Sequence, residues 1–312
     1  MTVSSIRKIL FITSTRLGDA VISTGILDYL LQTYPQAKFT IACGPVAAGL
    51  FDAMPRRDKT LVMNKYRFDF HWLLLWSQCV MQSWDLVIDL RGSGIGYFLR
   101  TRKKCIVRGG RIKEHRVHYL ARSLSLPYTP LPVVWIDEKN KKMAAEKLPA
   151  NHYIALAPTA NWIGKIWPIE RFIQVAKKLL VYNKDYEFVL FYGPGSHEFN
   201  LVDPMKRTSL PVIDSGGQNT LTEVAALLSR CKGFIGNDSG LMHLAAACQI
   251  PVLGLFGPSK LSEYEPAGNH AQGLSALSGN GVANMENLTV DEVYNAFQNL
   301  LETYNKQDRQ ND

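Results

Sequence analysis

The most distinctive chemistry of the sequence lies in a polar turn, Gly236-Asn237-Asp238-Ser239-Gly240-Leu241-Met242-His243. An apolar run, 233–236, precedes this turn, and a helix-favouring run, 241–248, follows it. Such a turn directs backbone N–H groups and a helix N-terminus towards one point, which suits a phosphate group. We therefore predict a pyrophosphate-binding loop and a nucleotide-type ligand, with Ser239 and Gly240 as the best backbone donors.

Two side chains of this turn have roles that the sequence leaves open. A carboxylate beside phosphates repels them, so Asp238 is interpreted either as organising the turn through its own hydrogen bonds or as contacting sugar hydroxyls. His243 lies three residues past Gly240, where it could donate to a phosphate or to the sugar. A histidine packed beneath the loop is an equally good interpretation.

Three further polar loops, 13–19, 158–168 and 192–198, follow predicted strands. None of them has the spacing of a GxGxxG fingerprint or of a P-loop. Position alone allows Asp19 to be either an acid–base group or a cap for the helix that follows it. Position alone also allows Lys165 to be an ordinary surface lysine.

The elements that must position these loops alternate along the chain. Strands are predicted at 8–13, 39–43, 84–90, 153–157, 187–192, 233–236 and 251–256, and helices at 19–34, 137–148, 168–182, 220–230, 241–248 and 289–304. Alternation of this kind favours parallel sheets with helices on both faces. The pattern restarts after a segment with three prolines, 126–136, which suits a crossing linker or an edge strand.

The predicted fold class is therefore α/β, with two Rossmann-like doubly wound parallel-sheet domains at residues 1–148 and 149–312. Ligands of such sheets sit at the carboxyl ends of the strands, so the facing edges of the two domains are expected to form the active cleft. The final helix could pack back on the N-terminal domain.

Composition excludes several classes of protein. The apolar fraction of 46% in 312 residues is enough for real cores and excludes general disorder. The short polar start lacks the apolar region of a signal peptide, and no apolar run is long enough for a spanning helix. Five scattered cysteines without CxxC spacing make a disulfide framework or a zinc site improbable and favour a reducing cytoplasm.

The positive charge is concentrated in one segment. Residues 91–122 contain ten Lys or Arg and one acid, Glu114, in a chain whose net charge is +8. A basic patch implies an anionic partner or surface, and a solvated basic loop is the alternative. Aromatic residues lie nearby, but no recognisable nucleic-acid module surrounds the segment, so no nucleic-acid partner is expected.

Five motifs together resemble those of glycosyltransferase family 9, the bacterial heptosyltransferases. They are Arg16-Leu17-Gly18-Asp19, Asp85-Leu86-Val87-Ile88-Asp89-Leu90-Arg91-Gly92, Lys165-Ile166-Trp167-Pro168, the turn that begins at Gly236, and Val252-Leu253-Gly254-Leu255-Phe256-Gly257-Pro258-Ser259. They occur in the family's order over residues 8–260. The resemblance implies a GT-B architecture and inverting, metal-independent transfer of heptose from an ADP-sugar to the lipopolysaccharide inner core, with no cofactor.

The resemblance also implies roles for single residues. Asp19 matches the general base that takes the proton of the acceptor hydroxyl. Lys165, flanked by two tryptophans, matches the lysine that stabilises the charge on the leaving ADP. Thr159 is expected to add a hydroxyl contact to the donor. Glu198 roughly matches a glutamate that contacts the ribose, although its loop is one residue longer than the pattern.

The expected partners are a nucleotide-sugar donor and an anionic, lipid-linked saccharide acceptor on the cytoplasmic side of a membrane. The donor is expected to contact Thr159, Lys165, Glu198, Asp238, Ser239, Gly240 and His243, and the acceptor Arg16, Arg91, Arg102, Lys103 and Lys104. Peripheral contact with the membrane is also expected. Two alternatives remain: a GT-B enzyme that transfers or epimerises another nucleotide sugar, and an inactive relative that only binds one.

An unusually apolar stretch, 68–81, allows two interpretations. It could dip into a membrane interface, but a buried core helix is the favoured interpretation. Gly25, within the first predicted helix, is expected only to loosen that helix.

Overall fold

The computed structural model describes residues 6–107, 113–276 and 283–311, with side chains to residue 307. Arg108 and Arg111 of the basic segment lie outside the described residues. The chain divides into two compact units, Met1–Ile136 and Asp137–Asp312.

The first unit is a parallel sheet with strand order β3-β2-β1-β4-β5. Its strands are β1 (Lys8–Ile12), β2 (Lys38–Cys43), β3 (Arg57–Val62), β4 (Ser83–Asp89) and β5 (Arg100–Ile106). Its helices are α1 (Leu17–Ile22), α2 (Thr24–Thr33), α3 (Pro45–Ala48), α4 (His71–Cys79) and α5 (Arg116–Ser123).

The second unit is a parallel sheet with strand order β11-β10-β9-β6-β7-β8. Its strands are β6 (Tyr153–Ala157), β7 (Glu187–Leu190), β8 (Val212–Asp214), β9 (Gly233–Asn237), β10 (Val252–Phe256) and β11 (Ala271–Ser275). Its helices are α6 (Glu138–Lys147), α7 (Ile169–Tyr182), α8 (Ser196–Lys206), α9 (Leu221–Leu228), α10 (Gly240–Ala247), α11 (Leu261–Tyr264) and α12 (Val290–Asn311).

These two parallel α/β sheets confirm the predicted fold class. The central strands β6, β9 and β10 are buried along their whole length, as expected when helices cover both faces of a parallel sheet. No helix within the described ranges is both long and apolar enough to cross a membrane.

The division between the units differs from the predicted boundary at 148/149. The structure divides after Ile136, because α6 packs against α9 of the second unit. The Arg230 guanidinium, which follows α9, donates to the carbonyl oxygens of Leu148 and Pro149 at 3.1 Å and so fixes the end of α6. The last helix, α12, packs against α7 and β10 within the second unit.

The first predicted helix, 19–34, consists of two helices that meet at Ser23. Gly25 has a packing role here rather than the loosening role expected from the sequence. A Cβ atom at Gly25 would lie 2.5 Å from the carbonyl oxygen of Leu131, so only glycine allows this close approach of the 130–131 backbone.

The core of the basic segment is β5, a strand at the edge of the described sheet, rather than a loop. Because side chains alternate along a strand, Arg102 and Lys104 point to one face of the sheet and Lys103 to the other. Arg102 also pairs with Asp85 at 3.3 Å. The three basic residues therefore do not form one patch.

The apolar stretch 68–81 is neither a wholly buried core helix nor a wholly exposed segment. Trp72, Leu75, Trp76 and Cys79 of α4 belong to the core of the first unit or pack against it. In contrast, Phe68, Phe70 and several other apolar side chains of the same stretch are exposed.

We expect Asp85→Asn to destabilise the first unit. Burial raises the pKa of Asp85, but the N–H groups of Arg7 and Lys8 and the Arg102 guanidinium outweigh this and lower it. A lowered folded-state pKa stabilises the protein above the unfolded-state value, and this contribution is lost as the pH falls through the folded-state value. Loss of the charge should reduce the free energy of unfolding by about 1–2 kcal/mol at neutral pH.

Urea unfolding of both proteins at neutral pH and near pH 3 measures this effect. The difference between wild type and Asp85→Asn should narrow below the ordinary carboxyl pKa of 3.8. Asp58→Asn, which changes an exposed aspartate of β3, is the matched control. A difference that is the same at both pH values would contradict the proposed electrostatic origin.

Candidate functional site

An ion pair joins two loops at the carboxyl ends of β6 and β9. The Lys165 ammonium donates to the Asp238 carboxylate at 2.5 Å, and the two side chains are 25% and 6% exposed. A lysine held in this way presents its remaining donors in a fixed place, and the mostly buried carboxylate is not left unpaired. Asp238 therefore holds Lys165, an interaction that the sequence did not predict.

A buried amide fixes the loop that carries Lys165. Asn237, the last residue of β9, is fully buried. Its amide nitrogen donates to the Pro158 carbonyl at 2.8 Å, and its carbonyl oxygen accepts from the Trp167 backbone N–H at 3.2 Å. Asn237 thus ties both ends of the 158–168 loop to the strand that precedes the polar turn. The sequence contained Asn237 within that turn but gave no signal for this role.

The turn leads directly into α10, as predicted. Ser239 is the N-cap residue, and Gly240 is the first helical residue, so the unpaired N–H groups of the first turn of α10 lie here. The Ser239 hydroxyl is buried and has no hydrogen-bond partner among the residues that the structure describes. A buried hydroxyl without a partner is costly, so a hydrogen bond to this hydroxyl would be stabilising.

His243 and Thr159 also lie close to these loops. Both side chains are buried, His243 on the first turn of α10 and Thr159 two residues beyond β6. Burial of His243 fits the interpretation of a histidine packed beneath the loop. Helix α10 lies close to β10. A Cβ atom at Gly254 would lie only 2.3 Å from the Met242 sulfur.

Glu198 lies in the first turn of α8, after β7. Its carboxylate accepts from the Gly193 backbone N–H at 3.0 Å. It therefore organises the preceding loop whether or not it also contacts a ribose.

A network that the sequence did not single out lies at the neighbouring strand ends. Asp214 ends β8 and accepts from the Tyr192 hydroxyl at 3.2 Å and from Lys206 at 3.0 Å. Burial, and then Asp214, raise the pKa of Tyr192 to about 12. Burial alone would raise the pKa of Asp214. The Gly216 N–H, Lys206 and Tyr192 have the opposite effect and together lower the pKa of Asp214. The network pairs the Asp214 carboxylate with the Lys206 ammonium at this edge.

A cavity of about 430 Å³ adjoins the 158–168 loop. Its lining is mainly apolar and includes Pro158, Ile163, Ile166, Leu201 and Met285. Its size and mainly apolar lining lie within the range of small-molecule pockets.

In the first unit, the carboxyl ends of β1 and β4 bring together two predicted site residues. Asp19, in the first turn of α1, accepts weakly from the Ser14 hydroxyl at 3.5 Å. The Arg91 guanidinium donates to the same hydroxyl at 3.4 Å. Ser14 thus links Asp19 and Arg91, a link that the sequence did not predict.

The loop that carries Arg91 is fixed by a fully buried carboxylate. Asp89, the last residue of β4, accepts from the backbone N–H of Arg91 at 2.9 Å and from the Ser93 hydroxyl at 2.7 Å. Arg16, the N-cap residue of α1, is exposed beside this edge. In contrast, Arg102 lies about 13 Å along β5 from the carboxyl end of that strand.

Comparison with known proteins decides the family. The model of "Glycosyltransferase family 9 (heptosyltransferase)" matches residues 112–289. The chain belongs to glycosyltransferase family 9. Lipopolysaccharide heptosyltransferase 3 of Escherichia coli is 32% identical to the chain over 291 residues, which cover 81% of the chain and 84% of that protein.

Solved structures agree with the fold of this family 9 chain. A family 9 glycosyltransferase from Veillonella parvula has a TM-score of 0.80 at 21% identity and covers 97% of the chain and 99% of its own length. The Escherichia coli ADP-heptose lipopolysaccharide heptosyltransferase II has a TM-score of 0.73 at 20% identity, covering 96% and 99%. The family 9 chain is thus a glycosyltransferase with GT-B architecture, as the motifs predicted.

Among the described residues of the family 9 chain, no group of three or more His, Cys, Asp or Glu side chains could hold a metal ion.

We expect Asn237→Ala to loosen the 158–168 loop. Alanine would leave the Trp167 N–H and the Pro158 carbonyl without their buried partner, which should reduce the free energy of unfolding by about 2–4 kcal/mol. Urea unfolding measures the loss. Asn151→Ala, at an exposed position just before β6, is the matched control. A loss no larger than that of the control would show that the amide does not hold the loop.

Proposed function

We propose that this family 9 enzyme transfers a heptose from ADP-heptose to a lipopolysaccharide inner-core acceptor, with inversion at the anomeric carbon and without a metal ion. The observation that carries the proposal is the Lys165–Asp238 pair beside the N-terminus of α10 and the unpartnered Ser239 hydroxyl. The similarity to lipopolysaccharide heptosyltransferases, one of them an ADP-heptose heptosyltransferase, supports the identity of the substrates.

The donor pyrophosphate is proposed to bind the N–H groups at Ser239 and Gly240 and the Lys165 ammonium. As the glycosidic bond breaks, negative charge grows on the leaving ADP, and a fixed cation with helix N–H groups stabilises that charge. Asp238 keeps Lys165 in place and can accept from sugar hydroxyls with its other oxygen. Thr159, Glu198 and His243 remain proposed donor contacts.

Asp19 is proposed as the general base. Its carboxylate accepts the proton of the acceptor hydroxyl while that oxygen forms its bond to the anomeric carbon. The Ser14 hydroxyl, which donates to the Asp19 carboxylate at 3.5 Å, helps to orient that carboxylate in the first turn of α1.

Arg16 and Arg91 are proposed to bind the anionic acceptor, because both lie at the same strand ends as Asp19. The predicted contacts from Arg102, Lys103 and Lys104 have weaker support, since these residues occupy both faces of β5 and Arg102 already pairs with Asp85. A location at the cytoplasmic face of a membrane also remains part of the proposal.

One other function remains as a competing hypothesis. A different nucleotide sugar would use the same proposed pyrophosphate site, since neither Lys165 nor α10 recognises the sugar.

We expect Asp19→Asn to abolish most transfer and to leave donor binding unchanged. The amide keeps the size of the side chain but cannot take a proton, and general-base catalysis contributes roughly 10²–10⁴-fold. Initial rates with ADP-heptose and a purified core acceptor, combined with calorimetric titration of the donor, measure the two effects. Asp28→Asn on α2 is the matched control. Near-normal turnover in Asp19→Asn would remove Asp19 from the role of base.

We expect the donor to be selected as an ADP-sugar and to depend on Lys165. Calorimetric titration with ADP-, UDP- and GDP-sugars should give the tightest binding for ADP-heptose, and Lys165→Met should reduce turnover on the order of 10²-fold or more. Lys184→Met, at an exposed turn, is the matched control. Tighter binding of a UDP- or GDP-sugar would overturn the proposed donor, whereas normal turnover in Lys165→Met would overturn only the role of Lys165.

A further inference from the structure

Helix α4 of the first unit carries apolar side chains on its inner side and on the first part of its outer side, although the described residues cover only the inner side. Leu75 and Cys79 point into the core. Phe70, Leu73 and Leu74, at helical spacings of three and four residues, are exposed. An apolar helix face is normally buried, but this one has no partner among the residues that the structure describes.

The turn before α4 extends the same exposed surface. Phe68 is 95% exposed, more than any other large apolar residue described, and its backbone has a left-handed φ of 56°. Such a φ is unfavourable for an aromatic residue, and it turns the ring away from the protein. Arg67 lies over this ring, with its guanidinium carbon 5.9 Å from the ring centroid.

A second aromatic element adjoins α4. The Trp76 indole N–H donates to the Phe98 carbonyl at 3.1 Å and ties the segment before β5 to the helix. Phe98 is 73% exposed, and Tyr97 beside it is also exposed. The Lys104 ammonium lies 4.4 Å from the centroid of the Tyr97 ring.

The charges around these apolar side chains are almost all positive. The segments 64–81 and 97–104 contain six basic residues, Lys65, Arg67, Arg100, Arg102, Lys103 and Lys104, and one acid, Asp69. Each of the six is exposed. Lys103 points to the opposite face of β5, and Arg102 pairs with Asp85, so Lys65, Arg67, Arg100 and Lys104 are the charges that can act with the apolar side chains. Exposed aromatic and aliphatic side chains among lysines and arginines are typical of proteins that lie in the interface of an anionic membrane.

We propose that the α4 surface, defined as Phe68, Phe70, Leu73, Leu74 and Phe98 with Lys65, Arg67, Arg100 and Lys104, docks the enzyme on an anionic lipid bilayer. The apolar side chains enter the boundary between headgroups and acyl chains, while the basic residues contact lipid phosphates. Neither contribution alone suffices for stable attachment, since single weak anchors bind membranes only marginally. The interaction does not depend on which sugar the enzyme transfers.

Vesicle co-sedimentation of the full chain tests the proposal. Wild type should bind vesicles of phosphatidylethanolamine and phosphatidylglycerol, and it should bind pure phosphatidylcholine vesicles at least about tenfold more weakly. The double variant Phe68→Ser, Phe70→Ser should lose on the order of tenfold or more in partitioning, because two exposed aromatic rings no longer enter the bilayer. Phe68→Trp should retain binding.

The charge contribution is tested separately. Lys65→Glu with Arg67→Glu should weaken binding to the anionic vesicles, and added salt should weaken wild-type binding, because surface charges are screened. The matched apolar control is Val181→Ser on α7 of the second unit, which removes a side chain that is 85% exposed. This control should bind as wild type does.

Two results would overturn the proposal. One is unchanged partitioning of the Phe68→Ser, Phe70→Ser variant. The other is that wild type forms dimers and does not bind vesicles, whereas the same variant is monomeric. The surface would then join two copies of the chain. Circular dichroism and urea unfolding of the variant show that the protein is folded. The lipid measurement needs no sugar substrate, so failure of the proposed transfer activity would leave its outcome unaffected.

Discussion

Parallel pairing of the strands is the constraint on which the site depends. Parallel neighbours need crossover connections, so the carboxyl ends of all strands in a sheet meet at one edge. That edge brings the loop after β6 against the turn after β9, although Lys165 and Asp238 are 73 residues apart in the sequence. It also brings Ser14, Asp19 and Arg91 together after β1 and β4. The chemistry of each unit is therefore a consequence of its sheet order.

In the second unit, one amide side chain and one carboxylate together hold Lys165 in place. Asn237 fixes the backbone on both sides of the lysine loop, whereas Asp238 fixes the end of the lysine side chain. A carboxylate next to a phosphate site would repel the ligand if it were alone. Paired with Lys165, it leaves the pair near neutral, and the N–H groups of α10 then provide the net attraction for an anion. The pairing with Lys165 thus explains how Asp238 can lie beside the proposed phosphate site.

Much of this arrangement could be predicted from the sequence, because apolar runs and turn residues are local signals. The strand at 153–157 has the predicted bounds, and α10 begins one residue before the predicted run. Contacts between distant residues carry no such signal, so the Asn237 bonds and the Ser14 link were missed. The domain boundary was placed late because the attachment of α6 depends on Arg230, far along the chain. Gly25 was misinterpreted for the same reason, since its neighbour is the 130–131 backbone.

The basic residues of β5 have a structural function that is independent of any ligand. An edge strand presents unpaired backbone groups that could pair with another chain, and charged side chains, lysine in particular, discourage this. Arg100, Arg102, Lys103 and Lys104 protect both faces of the edge in this way. The charge of the segment is thus required by the fold even if no anion binds there. Protection of an edge does not require exposed apolar side chains. Phe98, which precedes β5, and Phe70 and Leu73 near α4 are nevertheless exposed. These apolar side chains lower solubility without stabilising the core, so it is they, rather than the charges, that indicate an interaction surface.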